Sequence, residues 1–404
     1  MKDNFCPSPW STTFIESTGK HIPCCLYRTQ HLGADIDHNS DNKKKLRLRF
    51  LNNETPEACQ CFEIEDNGGF SLRQTLLQGF SKTMFVEQTQ ADGYTTYFPK
   101  SIDLTLGNKC NLACIMCWPP SSTGWTNDWE HISKWDFGQT GVFAEKVNNK
   151  MRVIGTDWFD NPEIQEKVFV MVSQAAAQHK GLDLKLLGGE FFLRQDALYV
   201  LERFGNIPNV YVKVFSNGTS IHQKEIDLLG RLTNVKLILS IDGVGDVIEY
   251  QRYPCKWNVV ENTAKLVKPW VKQVFITVTA FNVFNVSDVL EWCNANDFSA
   301  NINPAFGFNR YSPRVLPLPI REKAANKILD YYNTNKPNII SEENVMGFYG
   351  SLVTPGDGDP KEFLKYAKLL DDIRGTSFKR VFSELYIELR KYGFIVNETI
   401  QRRR

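Results

Sequence analysis

The feature that most constrains this chain is the run Cys110-Asn111-Leu112-Ala113-Cys114-Ile115-Met116-Cys117, in which three thiols are spaced C-x3-C-x2-C. It follows Ser101-Ile102-Asp103-Leu104-Thr105-Leu106, where apolar and polar residues alternate at the period of a half-buried β-strand. The thiols therefore fall on the loop that leaves the C-terminal end of a strand. A structural zinc ion closes its tetrahedron with four ligands, so three thiols suit it poorly. They suit a [4Fe-4S] cluster that keeps one iron open to an outside ligand, because such clusters are held by cysteine sulfur.

The pattern after Tyr97 alternates strands with helices. Asn161-Pro162-Glu163 opens a helix, with Asn161 as N-cap and Pro162 at the first helical position, and Gly181 ends it. Leu182, Leu184 and Leu186 mark a second strand that delivers Gly188-Gly189-Glu190. Val210 to Phe215 is a third, ending in Ser216-Asn217-Gly218, and Val235 to Leu239 a fourth, ending in Ser240-Ile241-Asp242-Gly243. Val274 to Val278 is a fifth, and a short sixth lies near Asn301-Ile302-Asn303. Strands that alternate with helices wind as right-handed parallel β/α units. Polar and glycine residues gather after the first four strands, and such barrels place their chemistry at the C-terminal strand ends.

A C-x3-C-x2-C loop joined by Gly188-Gly189-Glu190 resembles the radical S-adenosylmethionine (radical SAM) enzymes. The resemblance implies an α/β fold, a partial (β/α)6 barrel over residues 96–312. It implies that Cys110, Cys114 and Cys117 hold a [4Fe-4S] cluster whose open iron binds the amine and carboxylate of S-adenosyl-L-methionine (SAM). Reductive cleavage of SAM would then give a 5′-deoxyadenosyl radical that takes hydrogen from a substrate. Gly188, Gly189 and Glu190 match the family's GGE element, with Glu190 accepting from the SAM ammonium. Ser216, Asn217, Ser240, Asp242 and Arg252 resemble the family's strand-end contacts to SAM; ordinary turn and capping chemistry accounts for them as well. Met116 and Trp118 flank Cys117 and pack on the cluster, on adenine or in the core. An electron donor of reductase, flavodoxin or ferredoxin type is implied.

Five of the ten cysteines, Cys6, Cys24, Cys25, Cys59 and Cys61, lie in the first 61 residues. Scattered cysteines are often small buried hydrophobes, but this clustering favours a second metal site. Gly19 predicts a tight turn in a short hairpin flanked by Cys6 and the Cys24-Cys25 pair. The C-x12-G-x4-C spacing of Cys6, Gly19 and Cys24 resembles the start of the SPASM/Twitch motif, which implies a Twitch-like domain over residues 1–95 with an auxiliary [4Fe-4S] cluster. Its candidate ligands are Cys6, Cys24, Cys59 and Cys61, with Cys25 the alternative to Cys24. Two features depart from the family pattern: the pair is C-x-C rather than C-x2-C, and the domain precedes the barrel. The basic stretch Lys43 to Arg49 reads as the solvated face of a helix or strand, or as a phosphate patch.

A formal net charge of +1 supplies no bulk field for nucleic acid or membrane. The N-terminus has no apolar signal region, and no apolar run reaches transmembrane length, which predicts a cytoplasmic protein with reduced thiols. Trp118, Trp125, Trp129, Trp135 and Trp158 crowd one stretch that is a substrate lid or a packed insert. Residues 313–404 form a helical extension with a frayed tail, Gln401 to Arg404. Cys255 and Cys293 read as structural thiols, and the histidines form no ligand pattern. The implied enzyme modifies a peptide or protein, with a carbohydrate-like small molecule as the alternative. A zinc-binding nucleic-acid module would leave the Cys110–Cys117 loop and Glu190 unexplained.

Overall fold

The computed structural model describes residues 3–27, 32–66, 71–134, 144–148, 150–355 and 358–394; Trp135 and the tail 401–404 lie outside them. The strands among them are β1 (Thr12–Ile15), β2 (His21–Ile22), β3 (Ser101–Thr105), β4 (Ala144–Val147), β5 (Lys150–Val153), β6 (Leu182–Leu187), β7 (Val210–Ser216), β8 (Val235–Ser240), β9 (Val271–Val278) and β10 (Ala300–Pro304). The six strands read from the sequence are β3 and β6 to β10, with β9 beginning at Val271 rather than Val274. Contacts divide the chain into two compact units: 1–109, 155–215 and 223–236 in the first, and 110–154, 216–222 and 237–404 in the second.

In the first unit β1 and β2 form an antiparallel hairpin, with Phe14 opposite Ile22. Gly19 turns it with φ of +78°, and a side chain there would press on the Trp158 ring at 3.0 Å. β1 runs parallel to β3, β3 to β6 and β6 to β7. The period of two puts Ile102, Leu104, Leu184, Leu186, Val212 and Val214 on one buried face. The other face carries ion pairs between Asp103 and Lys185 at 3.0 Å and between Asp183 and Lys213 at 2.6 Å. The helix Pro162–Gln178 is capped as expected: Asn161 Oδ1 accepts from the Glu163 N–H at 2.9 Å. It ends at Gln178, before Gly181.

The basic stretch is not a wholly solvated face: Lys43 and Arg47 are buried, while Lys45 is exposed. It lies on the helix Asp41–Leu51, and two of its cations turn inward. Arg47 is fully buried and donates to the carbonyls of Pro9, His38 and Gly93 at 3.2, 2.7 and 3.2 Å. Lys43 donates to the carbonyls of Asp37 and Asp35 at 2.8 and 3.3 Å. Long cationic side chains brace irregular backbone here, because a buried carbonyl without a donor is costly.

In the second unit β8, β9 and β10 run parallel, with Leu237, Leu239, Val274, Ile276, Val278 and Ile302 buried. β4 and β5 form a separate antiparallel pair. The C-terminal region is helical, as expected: Leu318–Asn335, Glu342–Val353, Lys361–Arg374 and Ser383–Lys391. Phe281 anchors it, with ring centroids 4.7 Å from Phe363 and 5.8 Å from Phe378. Each such edge-to-face pair adds about 0.5–1.5 kcal/mol beyond its buried area. Among the described residues, no helix is long and apolar enough to cross a membrane.

Candidate active site

The Cys110–Cys117 loop is held by its backbone, since a loop of this kind has no ladder of its own. The N–H groups of Ala113 and Ile115 donate to the carbonyls of Tyr253 and Gln251 at 2.7 and 2.9 Å. The Cys117 N–H returns to the Cys114 carbonyl at 2.9 Å. Ser122 Oγ donates to the Leu112 carbonyl at 2.5 Å, and the Cys110 N–H donates to Thr123 Oγ1 at 3.1 Å. Cys114 is buried, while Cys110 and Cys117 are half-buried.

The sulfur atoms have donors around them. The Leu112 N–H lies 3.5 Å from Cys110 Sγ, Asn217 Nδ2 lies 3.9 Å from it, and Arg252 Nη1 lies 4.0 Å from Cys114 Sγ. A hydrogen bond with Cys117 and burial push the Cys114 thiol well above the usual range, with Arg252 opposing them. Donors aimed at sulfur stabilise thiolate, the form that binds iron, so the donor set fits a cluster. Among the described residues, no three His, Cys, Asp or Glu side chains meet as closely as a single metal ion requires. Cluster thiolates stand further apart, each on its own iron.

The strand-end residues of this unit are drawn into the protein's own bonding. Arg252 Nε donates to Asp242 Oδ2 at 2.6 Å, and Asp242 Oδ1 accepts from the Thr277 N–H at 2.7 Å. Asp242 is fully buried. Ser216 Oγ accepts from the Gly218 N–H at 3.1 Å, a local turn bond. Asn217 donates to Asn111 Oδ1 at 3.2 Å and accepts from Thr219, so its side chain ties the turn to the cysteine loop. Ser240 closes β8, half-buried. Met116 and Trp118 are half-buried, and Trp118 packs edge-on against Phe308 with centroids 5.8 Å apart. Trp125 is buried under Arg374, so this tryptophan belongs to the packing rather than to a lid.

Gly188 and Gly189, in the first unit, have φ of +93° and +52°. A Cβ on Gly189 would collide with the carbonyl of Lys109, and one on Gly188 with Thr105 and the Gly107 carbonyl. Only glycine meets both the conformation and the close approach. The Glu190 N–H donates to the Lys109 carbonyl at 2.8 Å, and the Glu190 side chain is 1% exposed. Glu190 Oε1 accepts from the Phe192 N–H at 3.4 Å.

The N-terminal cysteines separate into two groups. Cys6, Cys24, Cys59 and Cys61 are buried in one cluster with Phe5, Trp10, Tyr27 and Phe62. Cys25 is exposed, beside Asp103 and Lys185. Gln60 forms a turn between Cys59 and the helix Cys61–Asp66, with its N–H on the Leu26 carbonyl at 3.0 Å. Backbone N–H groups reach all four sulfurs: Ser8 toward Cys6, Leu26 toward Cys24, Cys61 toward Cys59 and Arg73 toward Cys61. Burial pushes the Cys24 thiol up to about 12 and raises Cys6 too. The bond between Cys59 and Cys61 raises the Cys59 thiol and lowers the Cys61 thiol. Four sulfurs in an apolar shell with N–H donors fit iron–sulfur ligation.

Two side chains at the cysteine loop have no signature in the sequence. Arg374 Nη2 donates to the Ala113 carbonyl at 2.7 Å, and Tyr366 Oη donates to the Ile115 carbonyl at 3.3 Å. The contacts span 261 and 251 residues, beyond any local pattern.

No protein-family model matches the chain. It is 26% identical over 213 residues to the sporulation killing factor maturation protein SkfB of Bacillus subtilis (strain 168), covering 50% of this chain and 42% of that protein. The chain thus spans less than half the length of this relative. Among solved structures it is similar to anSMEcpe with bound AdoMet, with a TM-score of 0.43, 19% identity and coverage of 58% of this chain and 61% of that one. It is also similar to Streptococcus suis SuiB bound to S-adenosylmethionine, with a TM-score of 0.44, 13% identity and coverage of 75% of this chain and 61% of that one.

Proposed function

We propose that this radical SAM enzyme cleaves S-adenosylmethionine reductively and uses the resulting 5′-deoxyadenosyl radical to take hydrogen from a peptide or protein. The observation that carries the proposal is the strand-end loop of Cys110, Cys114 and Cys117, with its backbone pinned and donors at its sulfurs. These three cysteines would hold a [4Fe-4S] cluster, which supplies the electron for cleavage when SAM occupies its open iron. Glu190 is the proposed acceptor for the SAM ammonium, with Gly188 and Gly189 giving backbone room. Ser216, Asn217 and Ser240 remain candidates for SAM contacts. Asp242 and Arg252 are candidates for SAM contacts too, and their ion pair holds the Arg252 guanidinium beside Cys114.

Residues 1–95 are proposed as a Twitch-like domain in which Cys6, Cys24, Cys59 and Cys61 hold an auxiliary [4Fe-4S] cluster. Cys25 is left out of that set by its exposure. Residues 96–312 form the proposed barrel domain, and 313–404 the extension. A flavodoxin, ferredoxin or reductase would deliver the electron, and the reducing cytoplasm suits the free thiols. A peptide substrate is favoured over a small molecule because the similar Bacillus subtilis protein is named a maturation protein.

The test is anaerobic iron and sulfide reconstitution followed by an assay for 5′-deoxyadenosine. Wild-type protein is expected to release it on reduction with SAM present, and Cys114→Ala to release none. Equal release by the two proteins defeats the proposal.

A further inference from the structure

We propose that Arg374, on the C-terminal helix Lys361–Arg374, is a positioning residue for the cysteine loop, with Tyr366 of the same helix as its second anchor. The inference rests on the radical SAM reading of that loop.

Four carbonyls of the loop receive side-chain donors from elsewhere in the unit, that of Cys110 from Thr123 Oγ1 at 3.2 Å. Leu112 is served by Ser122, a near neighbour in sequence. Ala113 and Ile115, on either side of Cys114, are served by Arg374 and Tyr366. The N–H groups of the same two residues are fixed by Tyr253 and Gln251. Both residues that flank Cys114 are therefore held at N–H and at C=O, and half of that restraint comes from the extension.

The Arg374 guanidinium is built in rather than resting on the surface. Its side chain is 1% exposed. Nε donates to Asp128 Oδ2 at 2.8 Å, within an ion pair whose aspartate is itself 7% exposed. Trp125 and Tyr253 face its Cζ at 5.0 and 4.9 Å, so the guanidinium plane is set by aromatic rings and a carboxylate together. A packing role needs no charge in such a place, and a buried ion pair by itself is weak evidence for stability. What this one accomplishes is to aim one N–H at the Ala113 carbonyl. Groups that orient metal ligands from behind change affinity by more than their own contact energy suggests.

The test compares reconstituted wild-type protein with Arg374→Gln, Arg374→Lys, Tyr366→Phe and Arg321→Lys. Arg321 is a matched control: it is also buried, but it braces the carbonyls of Leu316 and Leu352 within the C-terminal helices. The readouts are thermal unfolding, the rate at which a chelator strips iron, and the change in the electron paramagnetic resonance of the reduced cluster on adding SAM. That last signal reports the cluster with an open iron. Arg374→Gln is expected to lose iron from this cluster about 10-fold faster and to alter its SAM-dependent spectrum. Arg374→Lys restores part of both, and Tyr366→Phe shows a smaller loss and keeps the inference testable if Arg374→Gln does not fold. Arg321→Lys lowers the unfolding temperature and leaves both cluster readouts at wild type. If Arg374→Gln and Tyr366→Phe behave like Arg321→Lys, the two residues are structural only and the inference is overturned. A wild-type protein with no SAM-dependent spectrum overturns the radical SAM reading, and the inference with it.

Discussion

Arg252 and Asp242 form a 2.6 Å ion pair in which the aspartate is fully shielded and the arginine lies against Cys114. Burial disfavours the charged guanidinium, and Asp242 holds it charged. The pair thus keeps a fixed positive charge beside one cysteine of the loop.

Removing the carboxylate strands that charge. Asp242→Ala is expected to lower unfolding free energy by about 3–5 kcal/mol, the cost of breaking a buried pair from one side. Urea denaturation of the cluster-free protein measures it. A loss below about 1 kcal/mol, the scale of an exposed pair, shows that Arg252 finds another partner.

Glu190→Gln keeps the shape of a side chain that is 1% exposed while removing its charge. SAM affinity is expected to fall by about 1.5–3 kcal/mol, the worth of a hydrogen bond to a charged group. Calorimetric titration of reconstituted protein measures this, and unchanged affinity would leave Gly188-Gly189-Glu190 as a turn.

Cys59→Ala/Cys61→Ala removes two of the four thiols gathered in the N-terminal cluster. The variant should hold about half the wild-type iron if four thiolates hold each cluster. Its cleavage of SAM without substrate should persist, because Cys110, Cys114 and Cys117 are intact. Wild-type protein with one cluster's worth of iron per chain would contradict the auxiliary site.

Burial and the neighbouring Arg47 bring Lys43 down to about 8 from the usual 10.5, with Asp35 and Asp37 opposing. Below about 8 the folded state carries a buried charge that the unfolded chain holds freely in water. Between the two values the unfolded chain binds more protons, so this lysine makes stability rise with pH across that window. The stability of wild type minus that of Lys43→Met should climb between pH 8 and 10.5. A flat difference in denaturation midpoints at fixed slope would show that Lys43 titrates normally.

Much of the candidate site was legible because its signals are local. The thiol spacing and the alternation of Ile102 with Leu104 need only neighbouring residues, and strand ends follow from them. The Lys43 to Arg49 stretch misled for the same reason: composition reads as solvated, while Arg47 turns inward to carbonyls that lie 38 and 46 residues away. Gly188 and Gly189 stood out in sequence, but the obstructions that require them did not: Thr105 and the Gly107 carbonyl against Gly188, and the Lys109 carbonyl against Gly189.

The sequence by itself determined the alternating α/β order, the cysteine loop at the end of β3 and the helical C-terminal region, since period and punctuation belong to short windows. Tertiary structure alone decided that β1 lies parallel to β3, that Cys24 rather than Cys25 joins the buried thiols, and that Arg374 reaches the Ala113 carbonyl. Each of these couples residues far apart in the chain. Such a contact is favourable only after the whole core has excluded water and each buried polar group must find a partner, a condition no short window of residues expresses.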